Sequence, residues 1–214
     1  MVNATIQALT DKDVMLIATI SGPALKPLFR MSFIRKLAVL TLAVSTVLGA
    51  TLRAETPAVG NKAPDFTLNT PTGTPVQLSK DFHQASTVLI VLRGYPGYQC
   101  PFCQKQLHDY IEHAAEFAAK KTKVVLVYPG PPADLDQRAQ EALAKQANLP
   151  SNITLVIDPD YKVTNLYGLR WDAPHETAYP STFVLDRNGK IVFEKISHTH
   201  GDRTSAQDVL AKLP

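Results

Sequence analysis

Two cysteines, three methionines and a single tryptophan in 214 residues make this chain poor in sulfur and in large rings. Two cysteines cannot supply the several crosslinks of a small disulfide-held domain. No second cysteine or histidine cluster completes the four ligands of a zinc site, so neither a metal nor a cofactor is expected. No apolar stretch reaches the ~20 residues that a membrane-spanning helix requires. A basic surface is missing as well. Lys12, Lys26, Arg30, Arg35, Lys36 and Arg53 outnumber Asp11 and Asp13 within the first 54 residues, and the remainder is close to neutral. Phosphate binding needs basic groups concentrated on a folded surface, so no nucleic-acid partner is expected. Internal repeats and low-complexity tracts are also absent.

What is present begins with a hydrophobic content of 45%, ample for one core. The segment from Met31 reads as a Sec-type signal peptide. Arg35 and Lys36 precede the apolar residues 37–48, and small residues follow around Ala50 and Ala54. The expected division is a leader over residues 1–54, with translation starting at Met31 and cleavage after Ala54, and a domain over 55–214. Cleavage after Ala50 is the alternative, and two ordinary helices in an N-terminal extension are the other way to read the same residues. The leader implies a periplasmic or secreted protein, with membrane contact only if it stays uncleaved.

An oxidising compartment changes the meaning of Cys100 and Cys103. A Cys-x-x-Cys loop is too small to gain much by constraining the unfolded chain, and its spacing suits reversible exchange. Residues 87–92 (TVLIVL) form a continuous β-branched run that reads as a strand buried on both faces. A loop at 93–99 follows, and from Cys100 to Lys120 the apolar residues recur at helical spacing. Cys100 therefore sits at the start of a helix, where unpaired N–H groups and the helix dipole favour a thiolate. Cys103 lies one turn later, close enough to attack a mixed disulfide or a sulfenic acid on Cys100. If the helix begins later, the two roles exchange.

Strands are also expected at 124–128, 153–157, 182–185 and 191–196, with a hairpin at 66–78 around Pro71 and Gly73. The last two strands should be joined through Asn188-Gly189. Helices are expected at 135–147, 163–167 and 204–213. This order predicts an α/β fold, a central mixed sheet flanked by helices on both faces. Pro180 stands just before a core strand, a position proline tolerates. His108 and His113 are expected to face solvent, and Trp171 and Tyr179 either line the dithiol or serve as core or rim aromatics.

Three segments carry a resemblance. Residues 60–68 (GNKAPDFTL), the Cys100-Pro101-Phe102-Cys103 motif and residues 180–186 (PSTFVLD) make the body, residues 59–213, similar to the thioredoxin-like redoxins. The nearest branch is the alkyl hydroperoxide reductase/thiol-specific antioxidant branch, to which peroxiredoxins belong. The resemblance implies a thioredoxin-like fold, with Cys100 as the reactive cysteine and Pro180 as a cis-proline facing it. It also implies a thiol-based oxidoreductase with antioxidant activity, which reduces a hydroperoxide and is recycled by an external thiol or dithiol donor such as a thioredoxin-like protein.

The departures from the family pattern bear on mechanism. The branch has a Thr or Ser three residues before its peroxidatic cysteine and a Pro seven before it; counted from Cys100, these positions hold Gly97 and Arg93. Counted from Cys103, Pro96 matches, but the hydroxyl position is Cys100 itself. The family's arginine near the later strand is replaced by Pro180. Holding a hydroperoxide and its leaving oxygen needs donors, which Arg93 could supply from the loop with Tyr95 or Tyr98. Two further functions stay open: a protein thiol-disulfide oxidoreductase acting on partner disulfides, and a non-enzymatic binding protein on the same fold.

Overall fold

The computed structural model describes residues 54–214 apart from residue 147. The expected leader falls almost wholly outside them. Seven strands form one sheet in the order β2-β1-β5-β4-β3-β6-β7. They are β1 (Thr67–Asn69), β2 (Pro75–Gln77), β3 (Ser86–Val91), β4 (Thr122–Gly130), β5 (Ile153–Pro159), β6 (Ser181–Leu185) and β7 (Ile191–Ile196). The central strands β3, β4 and β5 run parallel, while β1, β2, β6 and β7 pair antiparallel to their neighbours. The mixed sheet expected from the β-branched runs is therefore present.

β3 is buried along its whole length because it is covered on both faces. Alternation along it splits the core. Val88, Ile90 and Leu92 point to one face, where α1 (Pro101–Glu112), α2 (Ala114–Ala119), α3 (Leu135–Leu143) and α5 (Ala206–Leu210) pack through Leu107, Tyr110, Phe117, Ala139 and Val209. Leu89 and Val91 point to the other, covered by α4 (Lys162–Leu166), a 3-10 turn at Leu78–Asp81 and the N-terminal segment through Val163, Leu78 and Phe66. Helices thus dominate one face only, and a single short helix reaches the other.

Three expected helices are cut short, the one from Leu135 ending at Leu143. The long helix from Cys100 breaks at His113, whose backbone N–H and ring nitrogen both bond to the Asp109 carbonyl, leaving α1 and α2 end to end. The final helix is only Ala206–Leu210, held at its start by reciprocal bonds between Ser205 and Asp208. The β6–β7 turn is held by Asp186, whose Oδ1 accepts from the N–H groups of Asn188 and Lys190 at 2.8 and 2.9 Å.

The segment that carries the chain from β3 to α1 depends on Gly94. Its φ is +73°, and a Cβ there would lie 1.9 Å from the Pro129 carbonyl oxygen. The next residue, Tyr95, donates its N–H to that same carbonyl at 2.9 Å, which pins the loop to the end of β4. Both constraints are backbone constraints, so no rotamer change relieves them. Replacing Gly94 with Ala is expected to destabilise the fold by roughly 2–4 kcal/mol, read from the urea midpoint. An unchanged midpoint would show that this approach does not constrain the loop.

Candidate active site

β3 delivers Arg93 and the loop 94–99 to the end of the sheet where α1 begins. Cys100 is the N-cap of α1, Pro101 occupies the first helical position and Cys103 the third. Proline fits there because its absent N–H has no partner to serve. No side-chain oxygen caps this helix; the Cys100 sulfur stands in that place, toward the Cys103 N–H. Both cysteines are free thiols, with 1% and 2% of their surface exposed.

The two sulfurs differ sharply in electrostatics. The Cys103 thiol donates a hydrogen bond to Cys100, and together with the Cys103 N–H and the Arg203 and Arg93 guanidinium groups it pulls the Cys100 pKa well down against the effect of burial. Burial pushes the Cys103 thiol up, and its bond to Cys100 reinforces this. The thiolate thus belongs at Cys100, the residue at the positive end of the helix, and the proton stays on Cys103. The helix does start early, at Pro101, the condition on which the expected order of roles rests.

Arg203 spans the pair. Its Nη2 lies 3.9 Å from Cys100 Sγ and its Nη1 3.6 Å from Cys103 Sγ, while Nη1 also donates to Gln106 Oε1 at 2.9 Å and Nε to the His200 carbonyl at 2.8 Å. Sequence reasoning missed this residue. It lies in the turn between β7 and α5, 100 residues beyond Cys103, in a segment whose sequence drew notice for its histidines and not for this arginine. Arg203, Gln106 and Phe102 also line a cleft of about 470 Å³ beside the dithiol, with Lys105, Gly201 and Thr204.

Arg93 is buried rather than a solvent-facing loop residue, with 2% of its surface exposed. Its Nε donates to Glu176 Oε2 at 2.6 Å, Nη1 to the Tyr98 hydroxyl at 2.7 Å and Nη2 to the His175 carbonyl at 2.7 Å. Thr177 donates its hydroxyl to the Arg93 carbonyl. Burial opposes the charge on Arg93, but Glu176, Tyr98 and Cys100 outweigh it and raise its pKa. Burial likewise opposes ionisation of Glu176, and bonds from Arg93 and His200 overcome it, lowering its pKa. Glu176 was the second residue missed, since one carboxylate in a polar loop is an ordinary surface pattern.

Pro180 is trans; none of the described peptide bonds is cis. This corrects the cis geometry implied by the resemblance. Pro180 precedes β6, where strand pairing makes no demand on its missing N–H, and its carbonyl accepts the Ser197 N–H at 2.8 Å. Extending the β3–β6 register beyond Val91 and Ser181 sets Pro180 beside Leu92, one residue from Arg93. Thr182 is a strand residue whose hydroxyl shares a 2.8 Å hydrogen bond with that of Thr204.

Trp171 and Tyr179 stack on each other at 4.8 Å between ring centroids, and Trp171 also meets His200 at 5.3 Å. They form the rim of the Arg93–Glu176–His200 cluster. His108 is exposed, as expected, whereas His113 is half-buried against Asp109.

Known proteins resemble this chain in sequence and in fold. The model of the AhpC/TSA family matches residues 59–194. The Helicobacter pylori (strain J99) protein described as peroxiredoxin bcp is 31% identical over 160 residues, 72% of this chain and 97% of that protein. Among solved structures, peroxidoxin BcpB from Mycobacterium tuberculosis superposes with a TM-score of 0.56 at 24% identity, covering 72% of this chain and 94% of that one. A thiol:disulfide interchange protein, DsbE, from Chlorobium tepidum gives 0.53 at 26% identity, covering 73% and 99%.

Because Arg203 faces both sulfurs without a carboxylate among its described partners, Arg203→Gln is expected to raise the Cys100 pKa by about one unit or more. Thiolate absorbance near 240 nm, followed against pH, reads this directly. A lower pKa stabilises the reduced form, so the same variant should have a more negative reduction potential. An unmoved titration curve would remove Arg203 from the account of the thiolate.

Proposed function

The chain belongs to the AhpC/TSA family, and from that premise we propose that it reduces hydroperoxides with Cys100 as the nucleophile and Cys103 as the resolving thiol. It is a thiol-based oxidoreductase of the peroxidase type. The observation that carries the assignment of roles is the asymmetry of the pair: a thiolate at the helix N-cap between two guanidinium groups, and a buried, protonated partner one turn away.

In the first step the Cys100 thiolate attacks the terminal oxygen of the hydroperoxide. The S–O bond forms, the O–O bond breaks, and the departing oxygen leaves as an alcohol or as water once it gains a proton. Arg93 and Arg203 hold the anion and the developing charge. In the second step Cys103 attacks the sulfenic sulfur, expelling water and closing the disulfide. A dithiol partner of the thioredoxin-like class then returns two electrons and two protons. The close sequence spacing of the cysteines allows the second step without large movement.

A second reading is exchange with protein disulfides, favoured by the Cys-x-x-Cys spacing and by the likeness to DsbE. Stopped-flow oxidation of the reduced full chain by stoichiometric hydrogen peroxide separates the two. Loss of thiols far faster than for a free cysteine, abolished by Cys100→Ser but leaving one fast step in Cys103→Ser, is expected. With the Cys100 pKa lowered, the rate should be flat through neutral pH and fall only as acid protonates the thiolate. A rate no faster than a free thiol would shift the assignment to disulfide exchange.

We further read residues 1–54 as a leader that exports the domain to the periplasm or beyond the cell, with Met31 as the start. The basis is the order of Arg35 and Lys36, an apolar run and small residues. Mass spectrometry of the protein recovered from an exporting bacterial host is expected to show a chain beginning at Glu55. Recovery of the intact leader on a membrane would instead make it an anchor.

A further inference from the structure

Transfer of oxygen to Cys100 leaves an oxygen that needs a proton, and neither guanidinium can give one up at ordinary pH. The Cys103 thiol, which carries a proton, directs it at the Cys100 sulfur. In an in-line displacement the departing oxygen lies beyond the attacked one, so its proton must come from another group at the site. The hydroxyls near the dithiol differ in what they already do. Tyr128 donates to Gln99 Oε1 at 3.0 Å. Tyr110, Thr182 and Thr204 are bonded to one another in the core. Thr177 is committed to the Arg93 carbonyl. Tyr95 lies against the Arg138 guanidinium at 5.4 Å, on the side of α3.

Tyr98 is different on each count. It stands two residues before Cys100, its oxygen accepts the Arg93 Nη1 hydrogen at 2.7 Å, and the guanidinium lies 5.2 Å from its ring centroid. The same guanidinium acts on the Cys100 sulfur. Arg93 thus holds the Tyr98 oxygen and favours the charge on Cys100, and is itself fixed by Glu176 and the His175 carbonyl. Among the described residues no acceptor takes the Tyr98 proton. The side chain is 48% exposed, so a proton given up is readily replaced from water.

We propose that Tyr98 is the proton donor to the departing oxygen, an inference that rests on the peroxidase reading above. As Cys100 takes the terminal oxygen and the O–O electron pair moves to the second oxygen, the Tyr98 O–H proton passes to that oxygen. The alcohol or water leaves, the phenolate is held by Arg93, and solvent restores its proton. Cys100 becomes a sulfenic acid, which Cys103 then condenses to the disulfide.

The test is Tyr98→Phe in the full chain, which keeps the ring against Arg93 and removes only the oxygen. Three quantities are measured on wild type and variant: the rate with hydrogen peroxide, the rate of alkylation by iodoacetamide at the same pH, and the Cys100 thiolate titration. The expected result is a peroxide rate lowered at least tenfold, with alkylation and titration within twofold of wild type, because alkylation expels iodide and needs no proton. Equal losses in the peroxide and alkylation rates would overturn the inference and make Tyr98 a residue that merely positions Arg93. An unchanged peroxide rate would overturn it outright. If wild type itself reacts no faster than a free thiol, the peroxidase reading fails and the inference falls with it, an outcome the variant is not needed to recognise.

Discussion

A guanidinium buried to 2% exposure is the constraint around which the site end of this molecule is built. An unpaired charge in that position would cost several kcal/mol, and removing one partner of such a pair typically destabilises by about 3–5 kcal/mol. Arg93 must therefore bring its partners with it. Glu176 and the His175 carbonyl come from the loop before β6, and Tyr98 comes from the loop before α1. The second carboxylate oxygen of Glu176 takes His200 from the turn after β7 at 2.8 Å, and the carbonyl of His200 takes Arg203. One ion pair thereby fixes three loops that share no sheet pairing. It holds both cationic groups against the cysteines.

The charges in this cluster are unequal in effect. Arg93 carries its own counterion in Glu176, so its field at Cys100 is partly cancelled and its main contribution is directional. Arg203 has sulfur, an amide oxygen and a backbone carbonyl among its described partners, and no carboxylate. Its charge is left to be balanced by the thiolate. Once the disulfide forms, that balance is lost, so the arrangement stabilises the reduced state and makes the oxidised pair easier to reduce. A dithiol that must be recycled after each turnover benefits from this bias.

The central strands β3, β4 and β5 were legible from sequence because each is a short run rich in β-branched residues that ends at or shortly before Gly, Pro or Asp, and burial leaves that run nearly uninterrupted. The dithiol was legible because its chemistry is local: two cysteines one turn apart at a strand-to-helix junction. Arg93 was visible as a candidate but not as a buried one, since the loop around it looks polar and only the distant Glu176 explains its burial. Arg203 and Glu176 stayed hidden for the same reason. Each functions through a partner about 80 to 100 residues away in the chain, and nothing in their own neighbourhoods demands a charged group. The break at His113 was also invisible, because alanines and a phenylalanine carry the helical pattern straight through a site where the ring bonds to a backbone carbonyl.

The spacing of the family motif and the electrostatics of this chain point to different cysteines. Counting back to Pro96 makes Cys103 the family's reactive position. Yet Cys103 lies inside the first turn, where burial and its bond to Cys100 raise its pKa. Cys100 holds the N-cap, where the dipole, a neighbouring thiol and two guanidinium groups all favour the anion. The family's usual hydroxyl position is here a second sulfur, and the surrounding groups favour the anion on that sulfur. A thiol placed where a hydroxyl would stand competes for the same helix N-terminus and, being the more acidic group, becomes the anion itself. Cys103, within one turn, is then left protonated. The loop between Arg93 and Cys100 still carries a hydroxyl held by a guanidinium, that of Tyr98 on Arg93.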